Sequence, residues 1–159
     1  MIKIKIIALG RLKEKYLLGA VEEYKKRLSA YSRLEICEIE PVKLPEKPSE
    51  GEIEKALLKE AELIREKIPQ GSYVFAMCIE GKQLSSPELS KQIENAVNMG
   101  KSLVFIIGSS HGLNEKIKSE ANFRLSVSEM TFPHQLFRVM LLEQIYRGFK
   151  IIEGSAYHK

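Results

Sequence analysis

Three short stretches gather side chains able to act on a ligand. Gly108-Ser109-Ser110-His111-Gly112 sets two hydroxyls and an imidazole among glycines, which let a bulky group approach main chain. Glu129-Met130-Thr131-Phe132-Pro133-His134 offers apolar surface, a hydroxyl and a second imidazole. Arg138, Glu143 and Arg147 interrupt an apolar stretch, and Tyr157-His158 adds an aromatic face and a titratable ring, suited to stacking on a base and moving a proton. Each has a plainer reading: Met130 and Phe132 as core packing, Glu143 and Arg147 as an i,i+4 surface pair, and the last residues as a frayed end. The 108–112 stretch also matches G-x-S-x-G, the nucleophile elbow, which makes Ser110 a candidate nucleophile served by Glu129 with His134 or His158. The same residues equally suit a loop that wraps a ligand without reacting. Neither G-x-G-x-x-G nor a Walker A sequence occurs, so nothing supports a dinucleotide or nucleoside triphosphate.

The elements that must hold these residues belong to one domain spanning 1–159. A 44% apolar, 29% charged chain of this length fits a single core. No apolar stretch nears the roughly 20 residues of a membrane helix, and the expectation is a soluble, cytoplasmic protein. All 21 acids are Glu, which excludes an Asp dyad or an ordinary EF-hand loop. Cys37 and Cys78 lack zinc or C-x-x-C spacing and read as reduced core thiols; no metal site is expected. The net charge of +4 is unevenly spread: residues 1–33 carry +6 and residues 34–67 carry −4. Lys3, Lys5, Lys13, Lys15, Lys25, Lys26 and Arg27 therefore form either a solvated face or a phosphate-contacting patch.

Hydrophobic spacing alternates strand and helix five times. Ile2, Ile4 and Ile6 open a strand that runs into Ile7-Ala8-Leu9, and Leu17, Val21, Tyr24 and Leu28 follow at helical spacing. A short strand over 34–39 leads to a proline-rich loop and the capping-box pattern Ser49-Glu50-Gly51-Glu52. Residues 73–79 and 103–107 are apolar runs of the kind buried on both faces of a parallel sheet, with a helix between them. Residues 123–128 give a last strand, and Leu136, Phe137, Met140, Leu141 and Ile145 stripe a last helix after Pro133. The fold class is α/β, a largely parallel sheet with helices on both faces. Ligands in such sheets sit beyond the carboxyl ends of the strands, which selects the loops Glu80-Gly81-Lys82, 108–112 and 129–134.

The ordered set Leu125-Ser126-Val127-Ser128-Glu129-Met130-Thr131-Phe132-Pro133-His134, then Arg138, Glu143-Gln144-Ile145-Tyr146-Arg147 and Ala156-Tyr157-His158, resembles the RlmH family of SPOUT-class methyltransferases. The resemblance extends to Ala8-Leu9-Gly10 and Tyr24-Lys25-Lys26-Arg27-Leu28 and covers the whole chain. It implies a C-terminal trefoil knot, a homodimer with its cofactor pocket at the interface, S-adenosylmethionine as methyl donor, and N3 of a pseudouridine in 23S ribosomal RNA of assembled ribosomes as acceptor. Carried over by motif, Met77, Gly108 and the loop Val127, Ser128, Glu129, Met130, Thr131 and Phe132 hold the cofactor. Tyr157 positions the base. His158, Glu143 and His134 are the candidates, in that order, to receive the N3 proton, while Arg138, Arg147 and Lys159 hold phosphate, joined by Lys25, Lys26 and Arg27. The family often has glycine where Ser109 stands and arginine where Lys159 stands, and lysine cannot make the bidentate phosphate contact. A second class stays open: an RNA-binding module without chemistry.

Overall fold

A computed structural model describes all residues, Met1–Lys159. Its elements run β1 (Ile2–Leu9), α1 (Lys15–Leu28), β2 (Ser32–Ile39), α2 (Glu50–Lys67), β3 (Tyr73–Gln83), α3 (Ser86–Asn98), β4 (Leu103–Ile107), α4 (Glu115–Glu120), β5 (Phe123–Ser126) and α5 (His134–Ile152). Local chemistry sets the helix starts. The Ser49 hydroxyl accepts from the Glu52 N–H at 3.1 Å and the Glu52 carboxylate accepts from the Ser49 N–H at 3.1 Å, closing the expected capping box. Ser85 and Glu88 repeat the device before α3, and the Asn114 side chain accepts from the Lys116 N–H to start α4. No helix is long and apolar enough to cross a membrane.

The five strands form one sheet in the order β2-β1-β4-β3-β5, every pair parallel. Side-chain alternation sends Ile4, Ile6, Ala8, Phe75, Leu103 and Phe105 to one face, where α1, α3 and α5 cover them. Ile7, Leu9, Val74, Ala76, Val104 and Ile106 go to the other, under α2 and α4. Chain direction and face are correlated. The α1 and α3 crossovers step toward the β2 edge on one face, and those through α2 and α4 step toward the β5 edge on the other. All four crossovers therefore share one hand, as the preference for right-handed β-α-β units requires. A consequence follows for ligands: β3 and β4 are neighbours whose exits lead to helices on opposite faces, which opens a crevice at their carboxyl ends.

One expected ligand loop is not a loop. β3 continues through Glu80-Gly81-Lys82 to Gln83, because a register shift between Met77 and Lys82 lets the strand pair with β5 a second time. Gly81 permits that approach: a Cβ there would lie 2.8 Å from the Leu125 carbonyl carbon and 2.9 Å from that of Arg124. The polar run that signals a turn in sequence is thus an edge-pairing extension.

Candidate active site

Beyond the carboxyl ends of β4 and β5, beside the middle of β3, lies a cavity of about 370 Å³, within the range of small-molecule sites. Met77, Ile107, Leu125, Phe132 and Phe137 supply apolar wall, and residues 108–113, 125–128 and 130–132 bring two loops to it. The first of these loops is tightly folded. A Cβ on Gly108 would lie 2.5 Å from the Gly112 carbonyl oxygen, and the Gly112 N–H donates to the Ser109 carbonyl at 2.8 Å. The second is braced from within: the Met130 N–H donates to the Ser128 hydroxyl at 2.9 Å, and the Ser126 hydroxyl donates to the Ser128 carbonyl at 3.1 Å. The Ser110, His111, Thr131 and Phe132 N–H groups donate to no main-chain acceptor, so the loops keep spare donors at the rim.

The cavity's ionic groups neutralise one another. Lys118 pairs with Glu80 and, at 3.0 Å, with Glu115. Burial works against the Lys118 ammonium, but bonds to the two carboxylates outweigh it and its pKa is raised; the bond from Lys118 holds the Glu80 carboxyl below its ordinary value. The cavity therefore presents no strong unpaired charge from these groups. Cys78 also lines it, half-buried, with its thiol pushed up by burial and then by Glu80. The expected core thiols are both only partly buried, and Cys78 is a protonated wall rather than a core residue.

Of the eight residues assigned to the cofactor, Met77, Gly108, Val127, Ser128, Met130, Thr131 and Phe132 line this one cavity. Glu129 does not and points to solvent. Sequence reasoning missed Cys78, Lys118 and Phe137 as wall residues; their positions in the middle of β3, on α4 and on the first turn of α5 become apparent only with the crossovers in place.

The hydrolase alternative finds no triad. No non-glycine residue has positive φ, so Ser110 lacks the strained turn of a nucleophile elbow, and Glu129, its proposed acid, lies outside the cavity.

A second cluster forms at the far end of α5. Arg147 donates twice to Glu143 Oε1, at 3.0 and 2.7 Å; the Tyr157 hydroxyl donates to the same oxygen at 3.3 Å, and Gln144 donates to Oε2 at 2.8 Å. The Arg147 guanidinium lies 4.8 Å from the Tyr157 ring centroid, and its Nη1 is 3.3 Å from His158 Nδ1. The expected i,i+4 pair is present, and the chain end folds onto it. Burial and then Glu143 raise the Tyr157 hydroxyl pKa, while the bond to Glu143 raises that of Arg147. Within one chain these five residues do not line the cavity. Arg147 lies ten residues beyond Phe137 on α5, about 15 Å along the axis.

The basic residues divide. Arg138, expected on phosphate, is 4% exposed: Nη1 donates to Glu38 at 2.7 Å and Nη2 to the Gly10 carbonyl at 3.1 Å. A guanidinium so enclosed fastens α5 to the ends of β1 and β2, and within one chain it stands apart from the exposed basic residues. Lys25 pairs with Glu22 at 3.2 Å and Arg27 with Glu23 at 3.0 Å, exposed pairs that an incoming phosphate can replace at little cost. Arg27 also lies 5.2 Å from the Tyr24 ring and 5.8 Å from that of Tyr146. Lys26 and Lys159 are exposed.

Comparison with known proteins fits this geometry. A family model described as "Predicted SPOUT methyltransferase" matches residues 2–158. The chain is 50% identical over 157 residues to "Ribosomal RNA large subunit methyltransferase H" of Clostridium beijerinckii, covering 98% of this chain and 99% of that one. It is 48% identical over 158 residues to the protein of the same name in Enterococcus faecalis, covering 99% of each. Among solved structures, a "probable methylase family protein" from Haemophilus influenzae superposes with a TM-score of 0.54 at 12% identity, covering 99% of this chain and 70% of that one, and speaks for the fold. With a match from end to end and a cavity at the strand ends, this chain belongs to the SPOUT methyltransferase family.

Proposed function

We propose that this protein is a ribosomal RNA methyltransferase that modifies N3 of a pseudouridine in 23S ribosomal RNA, using S-adenosylmethionine and acting as a homodimer on assembled ribosomes. The observation that carries the reading is the joining of seven cofactor-assigned residues around one cavity in a chain of this family. The chemistry of the cavity suits the donor: apolar walls accept adenosine, spare main-chain N–H groups suit its heteroatoms and carboxylate, and neutralised ionic groups tolerate a weakly hydrated sulfonium. Bound there, S-adenosylmethionine supplies an electrophilic methyl group. Met77, Gly108 and the loop 127–132 would hold it, with Glu129 now assigned to the rim. A trefoil knot in the C-terminal half belongs to the same reading.

The acceptor chemistry falls to the second cluster. Tyr157, already edge-on to Tyr146 at 5.1 Å, offers a face for the base. Arg147 puts positive charge where a ring nitrogen loses its proton, favouring the anionic ring. Glu143 Oε1 accepts from Arg147 and Tyr157 and so orients both, while Oε2 accepts only from Gln144 and keeps a lone pair, which leaves Glu143 behind His158 as a proton acceptor. His158 Nδ1 faces a guanidinium that can only donate; its neutral ring therefore carries the proton on Nε2 and offers it to a ring carbonyl. For His158 to accept the N3 proton, the Arg147 contact must open. Since one chain keeps this cluster away from its own cavity, the homodimer supplies the missing part: the tail of one subunit serves the cavity of the other, and Lys25, Lys26 and Arg27 meet the RNA backbone.

Calorimetry with S-adenosylmethionine, followed by transfer of labelled methyl to ribosomes and to naked 23S RNA, tests this. Binding heat and a strong preference for ribosomes are expected. A protein that binds RNA but gives no heat with S-adenosylmethionine is the module without chemistry, and equal transfer to naked RNA removes the ribosome from the proposal.

A further inference from the structure

Glu60 is the one carboxylate of α2 that the fold turns inward, and only 4% of the residue is exposed. Its Oε2 accepts from the Val42 N–H at 2.9 Å, while Oε1 is buried without a partner. Glu60 shares a cavity of about 200 Å³ with Ser109, Ser110 and His111. The remaining walls, such as Leu44, Ala56 and Leu57, are apolar. The same three loop residues also line the larger cavity, so one segment is common to both.

A buried carboxylate oxygen without a donor is costly, and a bond to an ionised acceptor is among the stronger hydrogen bonds. The facing segment has donors to spare: two hydroxyls, an imidazole, and the Ser110 and His111 main-chain N–H groups, which reach no main-chain acceptor. The Val42 bond holds the carboxylate by Oε2 and leaves Oε1 free in a residue that lines the same cavity as the loop.

We propose that Glu60 is a positioning residue for the cofactor loop: its free Oε1 takes a hydrogen bond from the Ser109-Ser110-His111 segment as that loop closes on the methyl donor. The inference rests on reading the larger cavity as the S-adenosylmethionine site. Glu60 touches neither donor nor RNA and acts only through the loop.

Glu60→Gln tests it in the full-length protein. The amide keeps an oxygen for the Val42 N–H but turns an NH₂ donor toward the loop's own donors. Affinity for S-adenosylmethionine is expected to fall about tenfold with Tm and the KM for ribosomes unchanged, a split that a merely structural role does not give. Wild-type affinity in Glu60→Gln overturns the proposal. A wild-type measurement stands independently of any variant's folding: the carboxyl carbon resonance of Glu60 should shift when S-adenosylmethionine is added, and an unmoved resonance at saturation overturns the proposal. No binding heat from wild-type protein refutes the cavity assignment itself, and Glu60's role with it.

Discussion

Gly108→Ala isolates the link between loop shape and cofactor binding. The added Cβ would stand 2.5 Å from the Gly112 oxygen, 2.6 Å from its carbonyl carbon and 3.0 Å from Leu113 Cγ, where real Cβ contacts essentially never fall below 3.0 Å. The Gly112 carbonyl must therefore retreat by at least about 0.5 Å, opening the turn closed by the Gly112-to-Ser109 bond. Overpacking of this kind costs about 1–3 kcal/mol, which for a chain of this size lowers Tm by roughly 2–12 °C. Misplacement by about 1 Å can cost on the order of 100-fold in a positioned site, so a shift half as large should weaken S-adenosylmethionine about tenfold. Calorimetry and thermal melts read the two effects separately. Gly148→Ala is the control: there a Cβ meets the far end of the Ile93 side chain at 3.0 Å and Ser90 Cα at an ordinary 3.8 Å, so a shift of a few tenths of an ångström in one side chain suffices, stability falls less and affinity holds. Wild-type cofactor affinity in Gly108→Ala, together with a lowered Tm, would falsify the assignment of this loop to the donor.

Replacing His158 by Ala should leave S-adenosylmethionine binding intact and remove most methyl transfer to ribosomes; full turnover takes His158 out of the mechanism. Arg138→Ala breaks two charge-assisted bonds inside the fold and should cost about 1.5–3 kcal/mol, seen as a Tm several degrees lower, and an unchanged Tm with weakened RNA binding would keep Arg138 on the RNA surface. For Glu80, the folded carboxyl titrates below its ordinary 4.5 because Lys118 bonds to it. Its stabilisation is thus complete above the unfolded value and fades as pH falls through the lowered one. The Tm gap between wild type and Glu80→Gln should accordingly shrink from pH 7 to pH 3, and a gap constant over that range contradicts the ion pair.

The strands and helices were legible wherever periodicity was set by burial on a single element. Ile4, Ile6 and Ile7, or the runs 73–79 and 103–107, announce a sheet covered on both faces, and Ser49 with Glu52 marks a helix start to the residue. Where pairing between distant strands decided the outcome, the pattern misled. Glu80, Lys82 and Gln83 carry turn-like polarity, yet a second pairing with β5 keeps them extended. The cavity's loops could be read because strand ends and glycines locate them. Arg138 could not, since its partner Glu38 is 100 residues away and a charge within an apolar helix reads equally as surface or as buried pair. Glu60 gave no signal at all: among the glutamates of α2 only its burial, its Val42 bond and the cavity it shares with residues 109–111 set it apart.

The most direct measurement is mass spectrometry of 23S RNA recovered from ribosomes incubated with this protein and methyl-labelled S-adenosylmethionine. One labelled methyl, on N3 of a single pseudouridine, is the predicted result. Label on another atom or another nucleotide contradicts the specificity, and ribosomes that acquire no label, with the protein folded and dimeric, contradict the proposed activity altogether.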